Sequence, residues 1–250
     1  NSILGCEIYV SAGKHNERVT NKGGNAWGYH HLVLLCQNET GYKNLMKLVS
    51  IGYLDGFYYK PRVDKDLLRQ YNEGLIATSA CLAGELTRFA AQGDYENCKK
   101  SAIEYSEIFP DRFYIEMQNH NIPEELASHD ILKKVAKELD LPLVATNDNH
   151  YCMEEHWEAH DVLFCLGTSK DRNDPNRHRY EPRQFYIKSA DEMFKIFKDT
   201  PEALENTLRI AEQCKVDIPM GTYHLPKFPI PEAAGTDNGD DYLRIICNLG

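Results

Sequence analysis

Long hydrophobic runs are missing from this sequence: no stretch of its 250 residues approaches the ~18 apolar residues of a membrane-spanning helix. The opening, Asn1-Ser2-Ile3-Leu4-Gly5-Cys6-Glu7, has no basic region of the kind that begins a secretory signal. These two absences set the expectation of a cytoplasmic protein with no membrane contact. An initiator methionine is also missing and the first residues already read as a strand, so the chain is expected to be cut from something larger. The eight cysteines (6, 36, 81, 98, 152, 165, 214 and 247) show no C-x-x-C pairs and no framework spacing. That pattern argues for reduced thiols over disulfides. Positive charge is in deficit, with 28 Lys and Arg against 38 Asp and Glu, a net charge of −10 and a pI of about 5.5. Such a surface argues against a broad, non-specific grip on phosphate backbones, while leaving room for a local cationic pocket or a carboxylate-rich metal site. There is no Walker loop, no G-x-G-x-x-G, no G-x-S-x-G, and no His/Asp pair around an evident nucleophilic serine.

What is present is ordinary globular composition, 42% hydrophobic and 26% charged, with ample material for a core. Short apolar runs rich in β-formers mark strands at 4–10, 31–36, 74–79, 113–117 and 142–146. The continuous apolar character of 31–36 predicts burial on both faces. Helical spacing covers 40–54, 64–71, 84–92, 94–108 and 123–139, and then 153–166, 189–198 and 201–214. Residues 11–29 are polar and Gly-rich, a loop, and Tyr58-Tyr59-Lys60-Pro61-Arg62 breaks the helical pattern. Alternation of buried strands with helices predicts an α/β fold with parallel pairing, open or closed. The stretch 219–240, with prolines at 219, 226, 229 and 231, reads as a linker, and 241–250 begins a helix.

In such folds the chemistry gathers where strands end. Glu7 lies in the first strand, Cys81 follows the strand at 74–79, and Asn119 and His120 follow 113–117. Asp148 and His150 follow 142–146. His31 sits at the start of its strand and is the awkward member. If 148–150 is extended, Asp148 and His150 point the same way and can share a metal, although a plain polar loop reads equally from the same residues. Glu, His, Cys and Asp-x-His together offer mixed O, N and S donors, which suit Zn²⁺ or Mn²⁺ better than Ca²⁺ or Mg²⁺. His156 and His160 are spaced i, i+4 without the zincin glutamate placement, and read as helix surface and packing. His15, His129, His178 and His224 lie in polar surroundings and read the same way. Lys60, Arg62 and His120 are candidate phosphate contacts. Arg172, Arg177, Arg179 and Arg183 are candidate anion contacts, interleaved with acids as in a solvated loop.

Several runs, in order along nearly the whole chain, carry a resemblance. They include Gly5-Cys6-Glu7, Tyr29-His30-His31-Leu32-Val33-Leu34-Leu35, Gly56-Phe57-Tyr58-Tyr59-Lys60-Pro61-Arg62 and Ser79-Ala80-Cys81-Leu82-Ala83-Gly84-Glu85. Val144-Ala145-Thr146-Asn147-Asp148-x-His150-Tyr151, Ala159-His160-Asp161-Val162-Leu163 and Leu225-Pro226-x-Phe228-x-x-Pro231 continue it. Together they resemble the PHP domain of the bacterial DNA polymerase III alpha-subunit family. The resemblance implies a distorted (β/α)7-type barrel lacking its first N-terminal unit over 1–218, a linker at 219–240, and the start of a polymerase palm at 241–250. It implies metal ligands at Glu7, His31, Cys81, Asp148 and His150, with the family's first His-x-His motif lying before Glu7 and its Mg²⁺-binding palm aspartates beyond Gly250. The implied function is metal-dependent phosphodiester cleavage, such as 3′–5′ proofreading, within a polymerase that uses DNA, dNTPs, a sliding clamp and a proofreading exonuclease. Two other readings stand beside it: a non-catalytic module that docks a separate exonuclease, and a stand-alone PHP-type phosphatase.

Overall fold

The computed structural model describes residues 2–18, 28–218, 220–223 and 225–249; Pro219, His224, Gly250 and part of the expected 11–29 loop lie outside them. Two compact units divide the chain, Asn1–Asp217 and Ile218–Gly250.

The first unit is mixed α/β. Its strands are β1 (Gly5–Ser11), β2 (Tyr29–Cys36), β3 (Phe57–Tyr58), β4 (Lys60–Val63), β5 (Leu75–Thr78), β6 (Phe113–Met117) and β7 (Leu143–Ala145). They hydrogen-bond in the order β3-β4-β1-β2-β5-β6-β7. Pairing is parallel for β1/β4, β5/β6 and β6/β7, but antiparallel for β1/β2 and β2/β5. The all-parallel expectation is therefore corrected: β2 runs against both its neighbours. The break in the helical pattern read at 58–62 is a small antiparallel hairpin, with Phe57 opposite Pro61 and Tyr59 turning at φ 60°.

Helices α1 (Glu39–Leu54), α2 (Lys65–Tyr71), α3 (Glu85–Ala91), α4 (Tyr95–Ile108), α5 (Pro123–Leu139), α6 (Trp157–Thr168), α7 (Ala190–Ile196) and α8 (Pro201–Gln213) complete the unit. Their starts follow from the residues that precede them. The Asn38 side chain accepts from the Gly41 N–H, Asp64 from Leu67 and Asp94 from Asn97, each satisfying an N–H the helix leaves over. Ser189 and Glu192 close a capping box on α7.

The period-2 geometry of the strands divides the sheet into two faces. From β1 and β2, Ile8, Val10, Leu32 and Leu34 enter a core completed by residues such as Leu48, Leu68 and Leu86 from the helices. Glu7, Tyr9, His31 and Val33 occupy the opposite face. Strand β2 is thus fully buried on one face only, and alternates buried with half-buried residues along its length. Strands β5, β6 and β7 are buried throughout.

The second unit holds a short 3₁₀ turn at 232–234 and α9 (Gly239–Leu249). Within it, Phe228 stacks on Tyr242 with ring centroids 5.9 Å apart.

Candidate metal centre

Because β2 is antiparallel to β1 and β5, its start lies beside the C-terminal ends of both. Tyr9 pairs with His31, and Val33 with Thr78. The position of His31 at a strand start, awkward for an all-parallel sheet, is the one that brings it to the same end as Cys81. The His31 N–H also donates to the Ala83 carbonyl at 3.0 Å, tying β2 to the loop that carries Cys81.

Glu7, His31 and Cys81 each offer a ligand atom, and these three atoms lie within 4.8 Å of one another. His31 Nδ1 is 3.2 Å from Glu7 Oε1 and 3.6 Å from Cys81 Sγ. One ring nitrogen carries at most one proton, so it donates to one of the two at most, and the three groups together offer one O, one N and one S donor to a cation. His31 beside Glu7 holds the Glu7 carboxyl below the usual carboxylate range, against the opposing effect of burial. Burial pushes the Cys81 thiol up to about 12, and Asp148 and Glu7 add to it. A cation would relieve this concentration of negative charge, and a mixed O, N and S set fits Zn²⁺ or Mn²⁺.

Asp148 lines the same cleft as Glu7 and Cys81, a space of ≈ 360 Å³. Burial raises its carboxyl above the ordinary value, while His150 and His120 pull it down. Strand β7 ends at Ala145, and Asp148 has a left-handed backbone with φ 40°. The extended i, i+2 geometry expected of Asp148 and His150 is therefore not what the chain adopts. His150 is exposed; its Nδ1 donates to the Asp148 carbonyl at 2.7 Å, which leaves Nε2 as the acceptor nitrogen. Among the described residues, Asp148 and His150 do not join the 4.8 Å group.

Sequence reasoning missed Glu116. This carboxylate is 4% exposed, in the middle of β6, and borders the cleft. It accepts from the Thr78 and Thr146 hydroxyls, from the Ala80 N–H at 3.1 Å and from Gln118 Nε2 at 2.8 Å. Ala80 sits at φ 61°, a conformation that costs a non-glycine residue roughly 1–2 kcal/mol. The Glu116 bond holds that turn, and the turn sets the position of Cys81. Gly84 closes the same loop: a Cβ there would stand 2.0 Å from the Ser79 carbonyl oxygen. The one available signal was an acid within the apolar run Phe-Tyr-Ile-Glu-Met.

The candidate phosphate contacts separate. Lys60 is exposed, with its ammonium 5.5 Å from the Tyr9 ring and close enough to lower the Glu7 carboxyl. Arg62 is 1% exposed and donates to the backbone carbonyls of Gly56, His15 and Glu17. It braces the fold instead of facing a ligand. His120 is wholly enclosed, with Nδ1 2.7 Å from Glu125 and Nε2 2.8 Å from the Asn147 carbonyl. Both its nitrogens are committed, so it supports the loop that presents Asp148 and has none left for a phosphate.

Residues 1–120 match the PHP domain family. Over its whole length the chain is 42% identical to DNA polymerase III subunit alpha of Treponema pallidum (strain Nichols), covering 21% of that protein. It is 43% identical over 232 residues to the subunit of Borreliella burgdorferi, covering 92% of this chain and 20% of that one. With the subunit of Thermus aquaticus it shares 40% identity over 254 residues, 99% of this chain and 20% of the other. The chain spans about a fifth of the length of the curated relatives it matches. By these similarities residues 1–120 carry the pattern of the PHP domain family, and the chain as a whole is similar to DNA polymerase III alpha subunits.

Proposed function

We propose that Glu7, His31 and Cys81, completed by Asp148 and His150, hold divalent metal and that the cleft cleaves a phosphodiester at a DNA 3′ end. The observation that carries this is His31 Nδ1 standing between a carboxylate and a thiol, with all three donor atoms inside 4.8 Å. A divalent cation there supplies Lewis-acid polarisation of a phosphoryl oxygen and makes a nearby water more acidic. The chain's own residues do the rest. Glu116 and Gly84 fix the Cys81 loop, His120 fixes the Asp148 loop, and exposed Lys60 draws the anionic strand toward the donors.

On the same reading, the domain serves a larger polymerase that carries out DNA-directed DNA synthesis in the cytoplasm. Its substrates are DNA and dNTPs, its partners a sliding clamp and a proofreading exonuclease, and its palm uses Mg²⁺ outside these residues. The strands would be part of a distorted (β/α)7-type barrel over 1–218, followed by a linker and the start of the palm. The test is metal-dependent 3′ trimming by the full polymerase, with and without Asp148→Ala; equal rates would reject the proposal.

A structural reading has its own support, since the three donors come from β1, β2 and the 79–84 loop and a shared cation would cross-link them. In that case Cys81→Ala lowers the melting temperature while trimming, already at background, does not change.

A further inference from the structure

A second cavity, of ≈ 220 Å³, has no part in the reading above. Its walls come from α6 and the segment after it. Arg172, Arg177, Arg179 and Arg183 face it against only two carboxylates, Asp161 and Glu181, in a chain of net charge −10.

These arginines differ in what they can still do. Arg177 is buried and closed in a bidentate pair with Asp161 at 2.6 and 2.7 Å, so it is wall. Arg179 donates to the Asp174 carbonyl at 2.9 Å. Arg172 is 46% exposed, and its pairs with Glu158 and Asp161 lie at the rim, where a phosphate can take over a guanidinium edge. Arg183 is 49% exposed and meets Glu181 only at 3.5 Å. Its guanidinium lies 3.4 Å from the centre of the Trp157 ring. Indole and guanidinium form a flat two-layer platform of the kind on which unpaired bases stack.

The cavity adjoins His150, one of the proposed donors. Tyr180 lines it, and the Tyr180 ring is 4.4 Å from that of His150. A space of ≈ 220 Å³ suits a single base and its phosphate and is too small for a duplex.

We propose that this cavity holds one nucleotide of a single DNA strand, with its base on the Trp157–Arg183 platform and its phosphate on Arg172. A neighbouring phosphodiester of the same strand then lies at the metal centre; this last step rests on the phosphoesterase reading, whereas nucleotide binding does not.

Trp27 is the other tryptophan in the sequence, so the 250-residue chain carrying Trp27→Phe reports from Trp157 alone. Its emission is followed during titration with a short oligothymidylate in EDTA, with dTMP, inorganic phosphate and an acidic peptide in parallel. Saturable quenching by the oligothymidylate is expected, weaker with dTMP and negligible with phosphate or peptide. Arg183→Ala should weaken binding about tenfold and Arg183→Lys should restore only part, since an ammonium is not planar. Arg172→Ala should weaken it several-fold and flatten the salt dependence by about one phosphate contact. A melting curve matching the parent chain is required of each variant. Oligothymidylate binding unchanged by both Arg183→Ala and Arg172→Ala overturns the inference, as does equal quenching by the acidic peptide. Cys81→Ala keeps the titration in EDTA. Absent 3′ trimming in the full polymerase with that titration intact rejects the phosphoesterase reading alone, while trimming indifferent to Arg183→Ala and Arg172→Ala rejects the placement of the neighbouring phosphodiester at the metal centre.

Discussion

Replacing Glu116 with alanine tests whether one buried carboxylate holds the floor of the cleft. Four donors converge on it, from Thr78, Ala80, Gln118 and Thr146. The two threonine hydroxyls can rotate to other acceptors. The Ala80 N–H is fixed by the backbone, and the Gln118 amide is packed against the same carboxylate. A buried donor left without a partner costs about 1–3 kcal/mol. Two of them, less what is regained by no longer burying a carboxylate, give a net loss of about 2–4 kcal/mol. For a unit of this size each kcal/mol lowers the melting midpoint by ~2–4 °C, so Glu116→Ala should melt roughly 5–15 °C early by calorimetry or circular dichroism. Glu116→Gln keeps one acceptor oxygen and should fall about half as far. Because the Ala80 turn precedes Cys81, cation affinity should fall with stability in both variants. A midpoint within about 2 °C of the unsubstituted chain would refute the reasoning.

Further expectations follow from the same contacts. Gly84→Ala, whose Cβ would meet the Ser79 carbonyl oxygen at 2.0 Å, should cost about 1–3 kcal/mol in urea melts and weaken cation binding. Arg62→Ala leaves the Gly56, His15 and Glu17 carbonyls without their guanidinium and should destabilise by about 2–4 kcal/mol, whereas Lys60→Ala should leave the melt unchanged and weaken DNA binding at low salt. Hydrogen bonds from Ser189 and Tyr186 hold the Glu192 carboxyl down at about 2 from its ordinary 4.5. A depressed acid contributes stability above its unfolded value that is lost as pH falls through the folded one. Glu192→Gln should therefore flatten the loss of stability on acidification across that window, read from urea midpoints; an unchanged acid limb would remove the capping box as a contributor.

The candidate donors were legible as polar or metal-binding residue types in or just after apolar strands. Glu7 stands out within an apolar strand, Cys81 and Asp148 follow apolar strands, and the structure brings Glu7, His31 and Cys81 together. The direction of β2 was not legible. Tyr-His-His-Leu-Val-Leu-Leu-Cys reads the same whichever way it pairs, and its direction depends on the path of the chain before it. Left-handed Asp148 was hidden for a related reason, since an Asp at a strand end is compatible with extended and turned backbone alike. Lys60 and Arg62 are two cations in one short strand, yet one is exposed and the other is enclosed by carbonyls from residues 15, 17 and 56. That difference is tertiary. His120 misled for a similar reason: a histidine at a strand end suggests a ligand contact, whereas Glu125 and the Asn147 carbonyl take both its nitrogens. The arginine-rich segment after α6 alternates with acids in sequence, and only folding sets Arg183 against Trp157 and Arg177 against Asp161.

Cobalt titration tests the central claim most directly, because a thiolate bound to Co²⁺ announces itself by a sulfur-to-metal charge-transfer band. The 250-residue chain should develop that band to saturation with Co²⁺ and lose it on addition of Zn²⁺, and Cys81→Ser should not show it although seven other cysteines remain. A band that persists in Cys81→Ser, or none in the unsubstituted chain, would contradict a metal centre built on Glu7, His31 and Cys81.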